Sequence, residues 1–303
     1  MMFKTQAGEA AFMAAYDAAF ANWPVAYTAM QIATRFGTTH VTVSGPEDGM
    51  PLVLLHAQGS SSAVWIRNVA ALSRSYRTYL VDTSGDANKS VYVAPFRSRS
   101  DAAQWVSDVF DGLKLTRAHL GGLSFGGWLT LNFALSAPDR LASAVLLAPA
   151  ASFARFRLSF YLNFLGPMLF PTRGRVWNTF RWLSATRQVV DERLAEQMFL
   201  AVRHFRFPKD GIYPTVFTDD ELRQLRVPTL LLVGDQEVIY DPRVVVNRAK
   251  RLIPGIQAEI IPEAGHLLNM ERSEFVNQRV LEFLGSTMRS LATGGEEVPQ
   301  CVQ

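Results

Sequence analysis

The pentapeptide Gly122-Leu123-Ser124-Phe125-Gly126 has the G-x-S-x-G spacing of a nucleophile elbow. A serine so placed stands on a sharp turn from strand to helix, which lifts its hydroxyl above the edge of a sheet. Glycine is needed on both sides because a side chain there would hold strand and helix apart. The flanking sequence supplies both elements. Ala118–Leu123 is apolar and strand-like, and Phe125–Ser136 carries a helical pattern that Pro138 stops. A serine hydroxyl is a weak nucleophile at neutral pH and needs an adjacent base. Of the five histidines, His40, His56, His119 and His204 precede the candidate acids or fall within predicted strands or helices. His266 lies in Ala264-Gly265-His266, just after the apolar strand Gln257–Ile261. That position is a loop at a strand's C-terminal edge, where open α/β sheets gather ligands. It also gives the chain order serine, acid, histidine found in hydrolases built on such an elbow.

The base needs a carboxylate to orient it and to stabilise its protonated form. Asp235 and Glu237 both stand on the loop Gly234-Asp235-Gln236-Glu237, after the apolar run 229–233. Asp241 precedes Pro242 and reads as a helix cap followed by a first-turn proline. Residue type and spacing leave Asp235 and Glu237 both open. A tetrahedral oxyanion also needs N–H donors, each worth about 3 kcal/mol of transition-state stabilisation. One is the N–H of the residue after the nucleophile, Phe125. The loop His56-Ala57-Gln58-Gly59-Ser60, directly after the buried run 52–55, is placed to supply the other. His56 itself reads as a brace for that loop.

These residues require a scaffold, and the sequence alternates strand-like and helix-like segments from about residue 37. Residues 38–44, 52–55, 77–81, 229–233 and Gln257–Ile261 read as strands beside Ala118–Leu123 and Leu141–Leu147. Between them, helical spacing covers 63–72, a segment capped by Asp101 with Gln104 three residues on, and the stretch from Asp241 to Leu252. A last helix covers 271–284, with Phe275, Val276, Val280 and Leu284 on one side. Such alternation predicts a mainly parallel sheet with helices on both faces. Residues 1–149 and 221–290 form the two parts of this core, the first with an N-terminal helix over 7–21. Residues 150–220 break the rhythm. They are rich in Phe, Trp and Arg, have helical segments without strands, and read as an inserted helical cap. Residues 291–303 have no pattern and read as a disordered tail.

Bulk properties narrow the function. The 303 residues are 49% hydrophobic, enough for one large domain with an insertion. Thirty basic against 27 acidic side chains, with the arginines scattered, do not suggest a nucleic-acid surface. The single cysteine, Cys301, rules out an internal disulfide and a cysteine-built zinc site. Glu9 and Asp17 interrupt the alanine-rich start, which reads as a helix and not as a secretory signal. Nowhere do about 18 uncharged apolar residues run together. A cytoplasmic protein with no membrane partner is expected.

Four pieces together resemble the α/β-hydrolase superfamily: the loop 56–60; Asp82-Thr83-Ser84-Gly85 with Asn88-Lys89-Ser90; the Ser124 elbow; and 234–242 followed by Gly265-His266. The resemblance runs from about residue 38 to residue 284 and is strongest to bacterial carboxylesterase-like members with a helical cap between the sixth and seventh core strands. It implies the α/β-hydrolase fold. It also implies that the acid is Glu237 and not Asp235, because the family's acid stands three residues after the glycine that ends its strand. The family's oxyanion residue follows a His-Gly pair, and the matching position is Gln58. Ala57 departs from that pattern, so the loop must take a conformation alanine tolerates. A serine nucleophile argues against dehalogenase or epoxide hydrolase chemistry. The implied activity is hydrolysis of a small carboxylic ester through an acyl-enzyme, with no cofactor and no metal. Phe153, Phe156, Phe160 and Trp177 are candidate pocket residues, although cap packing accounts for each of them as well. Acyl transfer, C–C bond hydrolysis or cofactor-free peroxidase chemistry on the same triad are alternatives, as is a ligand-binding receptor with little turnover. The natural ester, and whether the protein is a monomer or a homodimer, stay open.

Overall fold

The computed structural model describes residues 2–292 of the chain. Among the described residues nine strands form one sheet: β1 (Thr28–Thr34), β2 (Gly37–Ser44), β3 (Met50–Leu55), β4 (Tyr76–Val81), β5 (Val91–Tyr92), β6 (Ala118–Leu123), β7 (Leu141–Leu147), β8 (Thr229–Gly234) and β9 (Gln257–Ile261). The order is β1-β2-β4-β3-β6-β7-β8-β9, with β5 paired to β2. Every neighbouring pair from β4 to β9 is parallel, and β2 pairs antiparallel with β1, β4 and β5. Strands β6, β7 and β8 are buried along their whole length, which accounts for their largely apolar sequences; the buried His119 and Ser143 bond each other across β6 and β7. The strand order reverses between β3 and β6, a switch point that opens a crevice at the carboxyl ends of the strands.

The helices are α1 (Gln6–Phe20), α2 (Val69–Leu72), α3 (Arg99–Gly112), α4 (Phe125–Ser136), α5 (Leu158–Leu169), α6 (Arg173–Leu183), α7 (Glu192–His204), α8 (Asp219–Arg223), α9 (Pro242–Leu252), α10 (Leu268–Glu271) and α11 (Ser273–Ala292). Helices α2 and α11 pack on each other and on the sheet. On the other side α3 packs on α4, and α8 ties α9 to α3 through Arg248–Asp219 at 2.6 Å and Arg99–Glu221 at 2.6 Å. Between β7 and β8 the described chain holds helices and no strand. Helix α1 packs on α7 closely enough that a Cβ at Gly8 would meet the His204 ring at 2.6 Å. No helix among the described residues is long and apolar enough to cross a membrane.

Several local expectations need correction. Asp101 does not cap α3. Ser98 is the N-cap, and Asp101 is the third helical residue of a reciprocal capping box. The helix expected over 63–72 is split into a 3-10 turn, Ser62–Trp65, and the short α2. Asn68, at the break, spends its side chain on Asn269 O (3.0 Å) and Asn277 Oδ1 (2.8 Å). The last helix begins at Ser273, after a break at Arg272, and runs to Ala292. Its buried face uses Val276, Val280, Phe283 and Leu284, whereas Phe275 is exposed. Strand β1 has no alternating signal in the sequence: it is an edge strand with Ile32 its one buried residue. The expected tail overlaps the end of α11, and 293–303, with Cys301, lie outside the described residues.

Candidate active site

Ser124 is the turn between β6 and α4. Its φ of 54° puts a non-glycine residue in the left-handed region, a strained conformation that its surroundings must enforce. Three backbone hydrogen bonds do so: Ser124 N–H donates to Leu147 O (2.9 Å), and Ser124 O accepts from Trp128 N–H (3.0 Å) and Ala150 N–H (2.9 Å). The glycine requirement is steric. A Cβ on Gly122 would fall 2.1 Å from the carbonyl carbon of Gly126, and one on Gly126 would fall 2.3 Å from Leu55 O.

His266 Nε2 lies 2.9 Å from Ser124 Oγ, and His266 Nδ1 lies 2.7 Å from Glu237 Oε2. Three side chains distant in sequence thus form one hydrogen-bonded chain. The second carboxylate oxygen of Glu237 accepts from Val238 N–H (2.8 Å) and Ile239 N–H (2.9 Å). With the carboxylate accepting, the imidazole carries its proton on Nδ1, and Nε2 is free to accept from the serine hydroxyl. His266 and Glu237 are 5% and 3% exposed, so little water competes for these bonds. Asp235 turns the other way: it is exposed, and its Oδ1 accepts from Ala264 N–H at 3.2 Å. Asp241 caps α9. Such a chain can move the Ser124 proton to Nε2 while Glu237 stabilises the imidazolium.

The loop after β3 is held from below. His56 is buried; its Nε2 accepts from Thr83 N–H (2.8 Å), so its Nδ1–H donates to Ala57 O (2.8 Å). It braces the loop. Ala57 keeps a negative φ, and Gly59, at φ +75°, makes the turn in its place. Gly59 N–H donates to Asp86 Oδ2 at 2.7 Å, and Ala87 N–H to Asp86 Oδ1 at 2.8 Å. Burial pushes the Asp86 carboxyl up to about 6, against the pull of His56 and these two N–H groups. Gln58 N–H finds no partner among the described residues. Phe125 N–H, in the first turn of α4, has no intrahelical acceptor. His119 bonds Ser143 Oγ within the sheet at 2.7 Å, and burial lowers its pKa to about 4.

A family model described as the alpha/beta hydrolase family matches residues 52–279. The chain belongs to that family. Carboxylesterase YbfK of Bacillus subtilis is 42% identical to this hydrolase over 278 residues, which span 90% of this chain and 93% of that protein. A second Bacillus subtilis protein, named uncharacterized carboxylesterase nap, is 44% identical over 277 residues, spanning 89% and 91%. The crystal structure of naproxen esterase (carboxylesterase NP) from Bacillus subtilis is 42% identical in sequence and superposes with a TM-score of 0.87 over 92% of this chain and 99% of that one.

One site residue of this hydrolase was not legible beforehand. Glu271, at the end of α10, binds the histidine loop to the chain after α6. Its Oε2 accepts from Gly265 N–H (2.8 Å), and its Oε1 accepts from Ser184 Oγ–H (2.7 Å) and Ala185 N–H (2.7 Å). His266 N–H donates to Leu183 O at 2.9 Å, beside this clamp. A Cβ at Gly265 would meet Leu183 O at 2.5 Å, so glycine is required here. In sequence Glu271 looks like an ordinary helix residue, and nothing marks its long-range partners. Of the pocket candidates, Phe153 is buried at 2% exposure, while Phe156, Phe160 and Trp177 are half-buried. Phe156 and Phe160 stack at 4.1 Å. No group of three or more His, Cys, Asp or Glu side chains among the described residues is placed to hold a metal ion.

Proposed function

We propose that the protein hydrolyses small carboxylic esters, with Ser124 as nucleophile, His266 as general base and acid, and Glu237 as the orienting carboxylate. The observation that carries this reading is the 2.9 Å and 2.7 Å chain from Ser124 through His266 to Glu237. The carboxylesterase relatives supply the substrate class. Ser124 Oγ attacks the ester carbonyl as its proton passes to His266 Nε2. The tetrahedral oxyanion rests on the N–H groups of Phe125 and Gln58. His266 then gives the proton to the leaving alcohol, and the acyl group stays on Ser124. Water, deprotonated by the same imidazole, attacks the acyl-enzyme and releases the acid. Half-buried Phe156, Phe160 and Trp177 offer apolar surface to the substrate. A chain with one thiol needs no oxidising compartment, so the cytoplasm suits it.

The test is a series of nitrophenyl esters of increasing acyl length, with a competing alcohol in a parallel set. Expected are a fast burst of nitrophenol, turnover that depends on acyl length, and free acid as the main product. Loss of all turnover above background in Ser124→Ala completes the result. Turnover that survives Ser124→Ala contradicts the proposal, and ester formation with the added alcohol as the main reaction replaces hydrolysis by acyl transfer.

A further inference from the structure

Helix α5 carries no charge, and its two polar side chains, Ser159 and Asn163, are both partly buried. Phe160, Phe164 and Pro167 turn inward. On the outward side Leu158, Tyr161, Leu162, Leu165, Met168 and Leu169 are each 54–72% exposed. Their spacing of three and four residues sets them along one stripe. A helix whose exposed side is apolar belongs in a core or against an apolar phase, and a continuous exposed stripe of this kind marks an interaction surface. At 12 residues, α5 is about 18 Å long and too short to span a bilayer.

The charge around the stripe selects the partner. Residues 150–190 contain six arginines and no aspartate, glutamate or lysine, so they carry +6 in a chain whose net charge is +3. Arg155 and Arg157 precede α5, and Arg173 and Arg175 follow it; all four are exposed. Arg157 and Arg173 have acidic partners, Asp241 at 3.4 Å and Glu196 at 2.7 Å. Arg155 pairs with no acid among the described residues. Arg175 lies over the Phe170 ring at the stripe's end, 5.3 Å from its centroid. A second copy is a poor fit: pairing α5 with α5 in either direction sets arginines against arginines. An apolar stripe with cations at both ends fits the acyl chains and headgroups of an anionic lipid surface.

We propose that α5 docks this protein, in the plane of the interface, on an anionic lipid surface. The docked helix leads directly to the site, because Arg157 N–H donates to Ile239 O at 2.8 Å, two residues beyond Glu237. Docking therefore holds the triad near the surface and favours esters carried there.

The full-length protein is floated with vesicles of phosphatidylcholine alone and of phosphatidylcholine mixed with phosphatidylglycerol. Binding about tenfold tighter to the anionic vesicles is expected, weakening as salt rises. Leu162→Asp with Leu165→Asp should abolish it. Arg155→Gln with Arg175→Gln should lower it about tenfold and flatten its salt dependence. Both variants should keep wild-type turnover of a soluble nitrophenyl ester, which shows that they are folded. Failure of the wild type to bind anionic vesicles overturns the proposal, as does equal binding by the leucine variant. A wild-type dimer in light scattering that Leu162→Asp with Leu165→Asp converts to monomer assigns the stripe to a second copy and also overturns it.

Discussion

Glu237 and Asp235 stand two residues apart on one loop, in opposite surroundings. Glu237 is buried and shares its oxygens between the imidazole and two backbone N–H groups. Asp235 is exposed and ties down Ala264. Spacing did not separate them, because both lie within reach of any histidine loop that follows β9. The family pattern favours Glu237, through the count from Gly234. The pair gives a direct test. Glu237→Gln should lower kcat by about 10⁴-fold, as loss of the orienting carboxylate leaves the wrong tautomer. Asp235→Asn should change kcat by less than about tenfold. Steady-state kinetics on one soluble ester distinguishes them, and the reverse ranking assigns the wrong acid.

At the scale of elements, the elbow and the histidine loop differ in how they are held. The elbow is local: Gly122 and Gly126 touch each other across the β6–α4 turn, so their spacing is visible in the chain. Gly122→Ala should cost about 3 kcal/mol or more, since the new methyl meets backbone that cannot give. A fall in the urea midpoint checks this, and an unchanged midpoint contradicts it. The histidine loop is held by Glu271 and Leu183, which come from distant segments, and no local pattern reports them. Glu271→Ala should leave the fold intact but lower kcat by up to about 100-fold, because His266 loses its fixed position relative to Ser124. KM should change little, and Glu271→Gln should recover part of the rate. An unchanged kcat in Glu271→Ala would show the clamp to be irrelevant to the histidine. The same contrast explains the structural misses. Ser98 and Asp101 each fit a cap, and only the geometry of the box decides between them. The break at Arg272 and the exposure of Phe275 go with the seating of α10 on the 3-10 turn 62–65 and of α11 on α2 and the sheet.

For the molecule as a whole, the mainly parallel sheet was readable because β6, β7 and β8 are largely apolar runs between helices, whereas the strand order follows from the crossovers and has no local signal. The polar layer under the loop after β3 was not readable, since it joins α1, β2, β4 and the segment after β4. Asp82 alone accepts from Tyr16 Oη–H (2.9 Å), Ser62 N–H (2.9 Å) and Ser62 Oγ–H (2.7 Å), and lies 3.3 Å from His40 Nδ1. Burial pushes its carboxyl up, but the nearby His40 imidazole, with the hydrogen bonds from Ser62, holds it below its usual value of 3.8. Its contribution to stability is lost as pH falls below that value. Asp86 acts in the opposite sense. Its pKa rises on folding from 3.8 to about 6, so between those values the native state holds more protons than the unfolded chain. Stability from this group therefore grows as pH falls through that window. Comparing unfolding midpoints at about pH 7 and about pH 4.5, the wild type should gain on Asp86→Asn as pH falls. A pH-independent difference between the two would contradict the assignment.

All of this chemistry depends on Ser124 being the one activated hydroxyl. The most direct measurement is the reaction of the native protein with a fluorophosphonate, followed by peptide mass spectrometry. One label per chain on Ser124 is predicted, with labelling slowed strongly in His266→Ala and absent in Ser124→Ala. A label on another residue, or none on folded wild-type protein, would contradict the account.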